Sequence, residues 1–175
     1  MPASAAERAS RSIKRMQQML ALTAALPEQT FAAGDTVVDE GATARALWVL
    51  VAGALQISKA GVVVTTVSSP GALIGEVAAL LGSPYGATVI ALQPSVLRRA
   101  DDGRAWLDGD AEIMRLVAVG LAERLNFVTT YLVDLKHQYG DAPGLSMVPE
   151  VLHQLAQRPA PMLRSGSARD PDPVY

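Results

Sequence analysis

The sequence contains no cysteine. Disulfides, thiolate nucleophiles and cysteine-ligated zinc are therefore excluded together. Its two histidines, His137 and His153, would need carboxylates to complete a metal site, and those carboxylates are not clustered. Both read as surface residues. Aromatic residues make up 5%, sparse for a surface that stacks on bases. Positive charge is also short: the net charge is −2 and the pI about 5.6, against the basic surplus of a dedicated nucleic-acid binder. The shortage is uneven, because no Lys or Arg occurs from Ala60 to Leu97. Long apolar runs are missing too. The longest, Ala46–Leu55, is broken by Gly53, where a membrane span needs ~20 residues. Near the N-terminus, Arg11, Lys14 and Arg15 precede Met19–Leu26 in the manner of a signal peptide. Gln17 and Gln18 interrupt that stretch and its apolar positions keep helical spacing, which favours an amphipathic helix. The resulting expectation is a cytoplasmic chain without a membrane span.

What is present suffices for one domain and a tail. Half of the 175 residues are hydrophobic and 18% are charged. Over 1–28, Ile13, Met16, Leu20 and Ala24 repeat at helical spacing, with Arg8, Arg11 and Arg15 on another, solvated face; Pro27 is the expected stop. Over 29–100, short apolar runs alternate with Gly, Asp, Ser and Pro: Thr36–Val38, Leu47–Val51, Ala54–Ser58, Val62–Val67, Ala87–Ala91 and Val96–Leu97. Many short strands with frequent turns predict an antiparallel roll, interrupted by one short helix over Gly75–Leu81. Over 101–140 a short helix at Asp101–Leu107 precedes a long one, with Asp108 or Asp110 available as its cap. Along the long helix a heptad seam runs through Met114, Ala118, Leu121, Leu125, Val128, Leu132 and Leu135. Two partners fit it, a second copy of the chain or the N-terminal helix; the homodimer is the preferred reading. Ile113, Val117 and Phe127, off the seam, are expected on the β core. Residues 141–175 hold six of the eleven prolines and read as a mostly disordered tail with one short helix at Pro149–Arg158. The fold class is α+β: an antiparallel β-roll, or jelly roll, with an N-terminal helix and a long C-terminal helix.

One stretch carries more than a fold. Residues 75–89 read Gly75-Glu76-Val77-Ala78-Ala79-Leu80-Leu81-Gly82-Ser83-Pro84-Tyr85-Gly86-Ala87-Thr88-Val89. This resembles the phosphate-binding cassette of cyclic nucleotide-binding domains, as in catabolite-activator-type regulators and protein kinase A regulatory subunits. Gly34-Asp35, Glu40-Gly41, Leu47-Trp48-Val49-Leu50 and Gly53-x-Leu55-x-Ile57 follow the family order upstream. The resemblance implies a jelly roll, a cyclic nucleotide such as cyclic AMP or cyclic GMP as ligand, and binding residues at Gly75, Glu76, Val77, Ala78, Tyr85, Gly86, Ala87 and Thr88. In the family, the glutamate at the position of Glu76 holds the ribose hydroxyl. Backbone near Ala78 and Ala87 cradles the phosphate, and the residue at Thr88 adds a hydroxyl. A short helix suits the anion through its N-terminal N–H groups.

The pattern breaks at one residue. The family arginine that neutralises the phosphate is replaced by Tyr85, and neither Ser83 nor Gly86 restores it. An unpaired buried anion costs about 3–5 kcal/mol, or roughly two to three decades of affinity. Arg45, on a neighbouring loop, is a candidate to reach in. Each residue also has a plainer reading: Glu76 as a fold residue bonding backbone N–H, Tyr85 as a filler of vacated space, Thr88 as an ordinary strand residue. Thr129 and Thr130, near where relatives set hydroxyls against the purine, read as solvated helix-surface residues. After Tyr139 only Arg158, Arg164 and Arg169 are basic, so no helix-turn-helix and no direct DNA binding are expected. The chain reads as a non-enzymatic, stand-alone regulatory sensor with weak or altered nucleotide binding and a protein partner. The alternative is a ligand-independent dimeric scaffold.

Overall fold

The computed structural model describes residues 5–139 together with Val151 and His153. The chain divides into two compact units, 1–121 and 122–175, the boundary falling within the last helix.

The first unit places two antiparallel four-stranded sheets face to face. One has the order β1 (Glu28–Phe31), β8 (Ser95–Ala100), β3 (Leu47–Ala52), β6 (Leu73–Ile74). The other runs β2 (Thr36–Val38), β7 (Thr88–Ala91), β4 (Leu55–Lys59), β5 (Val62–Val67). Every pairing is antiparallel, as the roll reading requires. Strands β1 and β6 were not anticipated. β1 reads Glu-Gln-Thr-Phe, with three exposed residues and only Phe31 buried. β6 has two residues, too few to show any alternation.

The strand β3 explains why the sheet needs cover on both faces. Side chains alternate across a strand. Trp48 and Leu50 enter the core between the sheets with Phe31, Leu55, Tyr85, Val89 and Leu97. Leu47 and Val49 point the other way, into a second core. There they meet Met19 of α1 (Ala5–Leu22), Ala79 of α2 (Glu76–Leu81), Leu107 of α3 (Gly103–Asp108) and Ile113, Leu116 and Val117 of α4 (Ala111–Tyr139). An uninterrupted apolar run is thus a strand buried twice. β5 is the opposite case: an edge strand whose Val62, Val63 and Val64 are all exposed.

The helix ends are chemically defined. α1 stops at Leu22, earlier than Pro27. Thr23, fully buried, donates its hydroxyl to Met19 O at 2.8 Å. The guanidinium of Arg98 on β8 donates to Leu20 O at 2.7 Å, to Thr23 Oγ1 at 3.2 Å and to Glu28 at 3.1 Å. A cation therefore satisfies the carbonyl end of the helix. Asp102 caps α3 by accepting from Ala105 N at 2.9 Å. Asp110, rather than Asp108, caps α4, accepting from Glu112 N at 2.7 Å. Arg104 joins α3 to α2 by donating to Leu80 O at 3.0 Å.

The heptad seam divides along α4. Met114 and Leu121 pack on the second core, while Ala118 is exposed. Within the second unit, Leu125 and Val128 are exposed and Leu132 and Leu135 half-buried. Phe127 and Tyr131 are exposed within the second unit, and in the first unit Ile113 and Val117 pack as expected. Ala111–Gln138 has the length, and in one 18-residue window the mean hydropathy, 1.3, of a membrane-crossing helix, although no unbroken apolar run marks it. Only 11% of that window is buried, although Ile113, Leu116 and Val117 of the same helix lie in the second core. Thr130 donates its hydroxyl to Asn126 O of its own helix at 2.9 Å. The tail 141–175 and its helix at Pro149–Arg158 lie outside the described residues, apart from Val151 and His153, which are helical and exposed. His137 is exposed, as anticipated.

Candidate functional site

The cassette is a strand, a tight turn, one and a half helical turns and a return to the sheet. Gly75 joins β6 to α2 with φ 90°. A Cβ there would also come within 2.9 Å of the Tyr85 ring and 3.2 Å of Ala46 O, so glycine is required twice over. Glu76 opens α2, where a carboxylate complements the helix dipole, and is 4% exposed. Val77 faces solvent, while Ala78 is buried and its carbonyl accepts from Gly82 N and Ser83 N. Gly86 is exposed, and Ala87 and Thr88 are half-buried.

The loop between β2 and β3 holds the far end of the cassette. Tyr85 N donates to Ala42 O at 3.0 Å and Gly41 N donates to Tyr85 O at 2.8 Å. Thr88 Oγ1 accepts from Glu40 N at 3.0 Å, and the Glu40 carboxylate accepts from Ala60 N at 2.8 Å. The Thr88 hydroxyl thus has a structural task, and Glu40, which motif reading took only as spacing, ties two turns together.

Tyr85 decides the character of the site. Its side chain is 8% exposed and belongs to the core between the sheets. The phenol donates to Ala46 O at 2.6 Å, across 39 residues of chain. Burial pushes its pKa above the usual phenol range; side-chain hydrogen bonding with Trp48, the bond to Ala46 O and the charge of Arg99 pull it down by less. The residue at the arginine position is therefore a neutral, internally satisfied donor. Arg45 is exposed on the adjoining loop, and its exposed position leaves it free of the buried core.

Residues 28–104 match the Cyclic nucleotide-binding domain family. The roll of this chain is a cyclic nucleotide-binding domain. No curated protein matches the chain. Solved structures share the fold. The regulatory domain of Toxoplasma gondii protein kinase A, co-crystallised with cAMP, is 18% identical with a TM-score of 0.52, over 64% of this chain and 48% of that one. A second regulatory-subunit domain (PKAR CBD2), bound to Sp-2Cl-cAMPS, is 20% identical with a TM-score of 0.51, over 66% and 84%. The regulatory subunit of a cAMP-independent protein kinase A from Trypanosoma brucei is 15% identical with a TM-score of 0.50, over 62% and 46%. At these identities the likeness speaks for the fold of the cyclic nucleotide-binding domain and for nothing finer.

Proposed function

We propose that this domain is a regulatory module whose cassette keeps the shape of a cyclic-nucleotide site without its charge. The observation that carries this reading is Tyr85, buried and donating to Ala46 O where the family pattern has arginine. Glu76 would bind the ribose hydroxyl, and the backbone from Gly75 to Ala78 and from Gly86 to Thr88 the cyclic phosphate. Without a cation from Ala60 to Leu97, affinity falls about two to three decades below that of a cassette with arginine. The domain would bind rather than catalyse, act in the cytoplasm and pass its signal to a protein partner. Isothermal titration with cyclic AMP and cyclic GMP tests this. Saturable binding in the high-micromolar to millimolar range, abolished by Glu76→Ala, is expected. Sub-micromolar binding would overturn the loss of charge recognition. No heat at millimolar ligand would overturn nucleotide sensing and leave the scaffold reading.

The same proposal includes a homodimer through the outer part of the seam. Leu125 and Val128, three residues apart on the seam, are exposed in the single chain. Such a row on one helix calls for a partner. Leu125→Lys is expected to sediment as a monomer where the parent chain is a dimer. An unchanged mass would refute the seam as the interface.

A further inference from the structure

We propose that the outer edge of β5 pairs with β5 of a second copy of this chain, antiparallel across a two-fold axis, so that their sheets become continuous. An edge strand presents a row of backbone N–H and C=O groups to any extended chain, and proteins blunt such rows by shortening or charging them. Among the described residues the two sheets end in β1, β6, β2 and β5. β2 has three residues and β6 two. β1 carries Glu28, paired with Arg98. β5 is the exception. It has six residues, all Val or Thr, and pairs on one side only, with β4. No Lys, Arg, Asp or Glu occurs from Ala60 to Gly75. Val62, Val63 and Val64 are 67, 57 and 62% exposed, and Thr65 and Thr66 are exposed with them. The ladder with β4 slips once, between Ile57 and Ser58, leaving Val64 as an extra residue. A two-fold axis imposes that bend equally on both copies.

Three features select a second copy over another extended peptide. Every residue of β5 is β-branched, so self-pairing sets Val or Thr against Val or Thr in any register, the cross-strand pairs that sheets favour. The uncharged run offers nothing to an acidic or basic peptide, whereas its own copy meets it without repulsion. The strand is also held in shape beforehand. Ala60 and Gly61, with φ 50° and 76°, make the tight turn between Lys59 and Val62, and Ala60 N donates to the Glu40 carboxylate at 2.8 Å. A second copy brings an equally fixed strand, whereas a free peptide loses chain entropy on binding. The contact is isologous and closes on itself. One strand pair is far smaller than the ~800 Å² per partner of a stable interface, so the association is weak. It belongs to high-micromolar and millimolar concentrations, above those at which the helix seam is tested.

The inference rests on neither nucleotide binding nor the seam, and the test separates it from both. The full chain with Leu125→Lys, which disables the seam, is followed by sedimentation equilibrium from micromolar to millimolar concentration. A reversible monomer–dimer equilibrium is expected. Adding Val64→Lys should hold the chain monomeric throughout, because it sets like charges across the new ladder. An unchanged urea midpoint checks that this exposed substitution leaves the fold intact. The lack of cysteine allows a second reading. Val63→Cys, Val64→Cys, Thr65→Cys and Thr66→Cys are oxidised mildly, one at a time, and disulfide dimers should peak at one position and fall on either side. A monomer at millimolar concentration, a dimer indifferent to Val64→Lys, open-ended fibres in place of a dimer, or equal cross-linking at all four positions would each overturn the proposal.

Discussion

Tyr85→Arg is expected to tighten cyclic AMP binding about a hundredfold. The missing ion pair is worth about 3–5 kcal/mol to a buried anion. Part of that is offset, because the new guanidinium loses water and the Tyr85 bond to Ala46 O, about 1 kcal/mol, is given up. A net gain near 2.7 kcal/mol corresponds to two decades. Geometry favours the exchange. Gly75, without a Cβ, leaves the space through which the tyrosine ring passes, and Ala46 O remains as an acceptor for the inner edge of the guanidinium. Tyr85→Lys should gain less, since a point charge lacks the planar fork. Glu76→Ala in the arginine variant should remove most of the gain. Titration calorimetry reads all three. An arginine variant that binds no better than the parent would mean that the cassette backbone itself no longer fits a cyclic phosphate.

Gly53→Ala is expected to cost about 4 kcal/mol of folding stability. Gly53 sits between β3 and β4 with φ 109°, where a side chain carries about 1–3 kcal/mol of strain. Its Cβ would fall 2.1 Å from Ser95 Oγ and 2.6 Å from Ser95 Cα, and overpacking adds about 1–3 kcal/mol. Relief by movement is blocked. Ser95 is fully buried at the start of β8, donates to Gln93 O at 2.8 Å and accepts from Ala54 N at 3.2 Å. Against a total of about 5–15 kcal/mol the loss is large. Gly34→Ala isolates the strain, because its φ is 92° but nothing lies within 4 Å of the added carbon. Urea unfolding should show Gly53→Ala well below Gly34→Ala. Equal midpoints would contradict the steric account.

What could be read without coordinates was whatever depends on neighbours in the chain. Glycines and prolines marked the turns, so most strands were found within a residue or two, and Gly53 was placed in its turn. The cassette helix, the cap at Asp110 and the long helix followed from local chemistry in the same way. β1 escaped because Glu28–Thr30 have no apolar alternation; the strand exists through its pairing with β8, nearly seventy residues away. The heptad seam was periodic throughout, yet periodicity does not say what each position meets. Met114 and Leu121 lie against the roll, whereas Leu125 and Val128 face solvent.

The roll, the order of the cassette and the lack of any cation between Lys59 and Arg98 are all written in the chain's residue pattern. Those depend on residue type and local spacing alone. What Tyr85 does in the vacated place follows from packing instead, because its partner, Ala46 O, is brought there by the loop pinned through Gly41, Ala42 and Glu40. Contacts across tens of residues are set by packing of the two sheets, for which a linear pattern has no term.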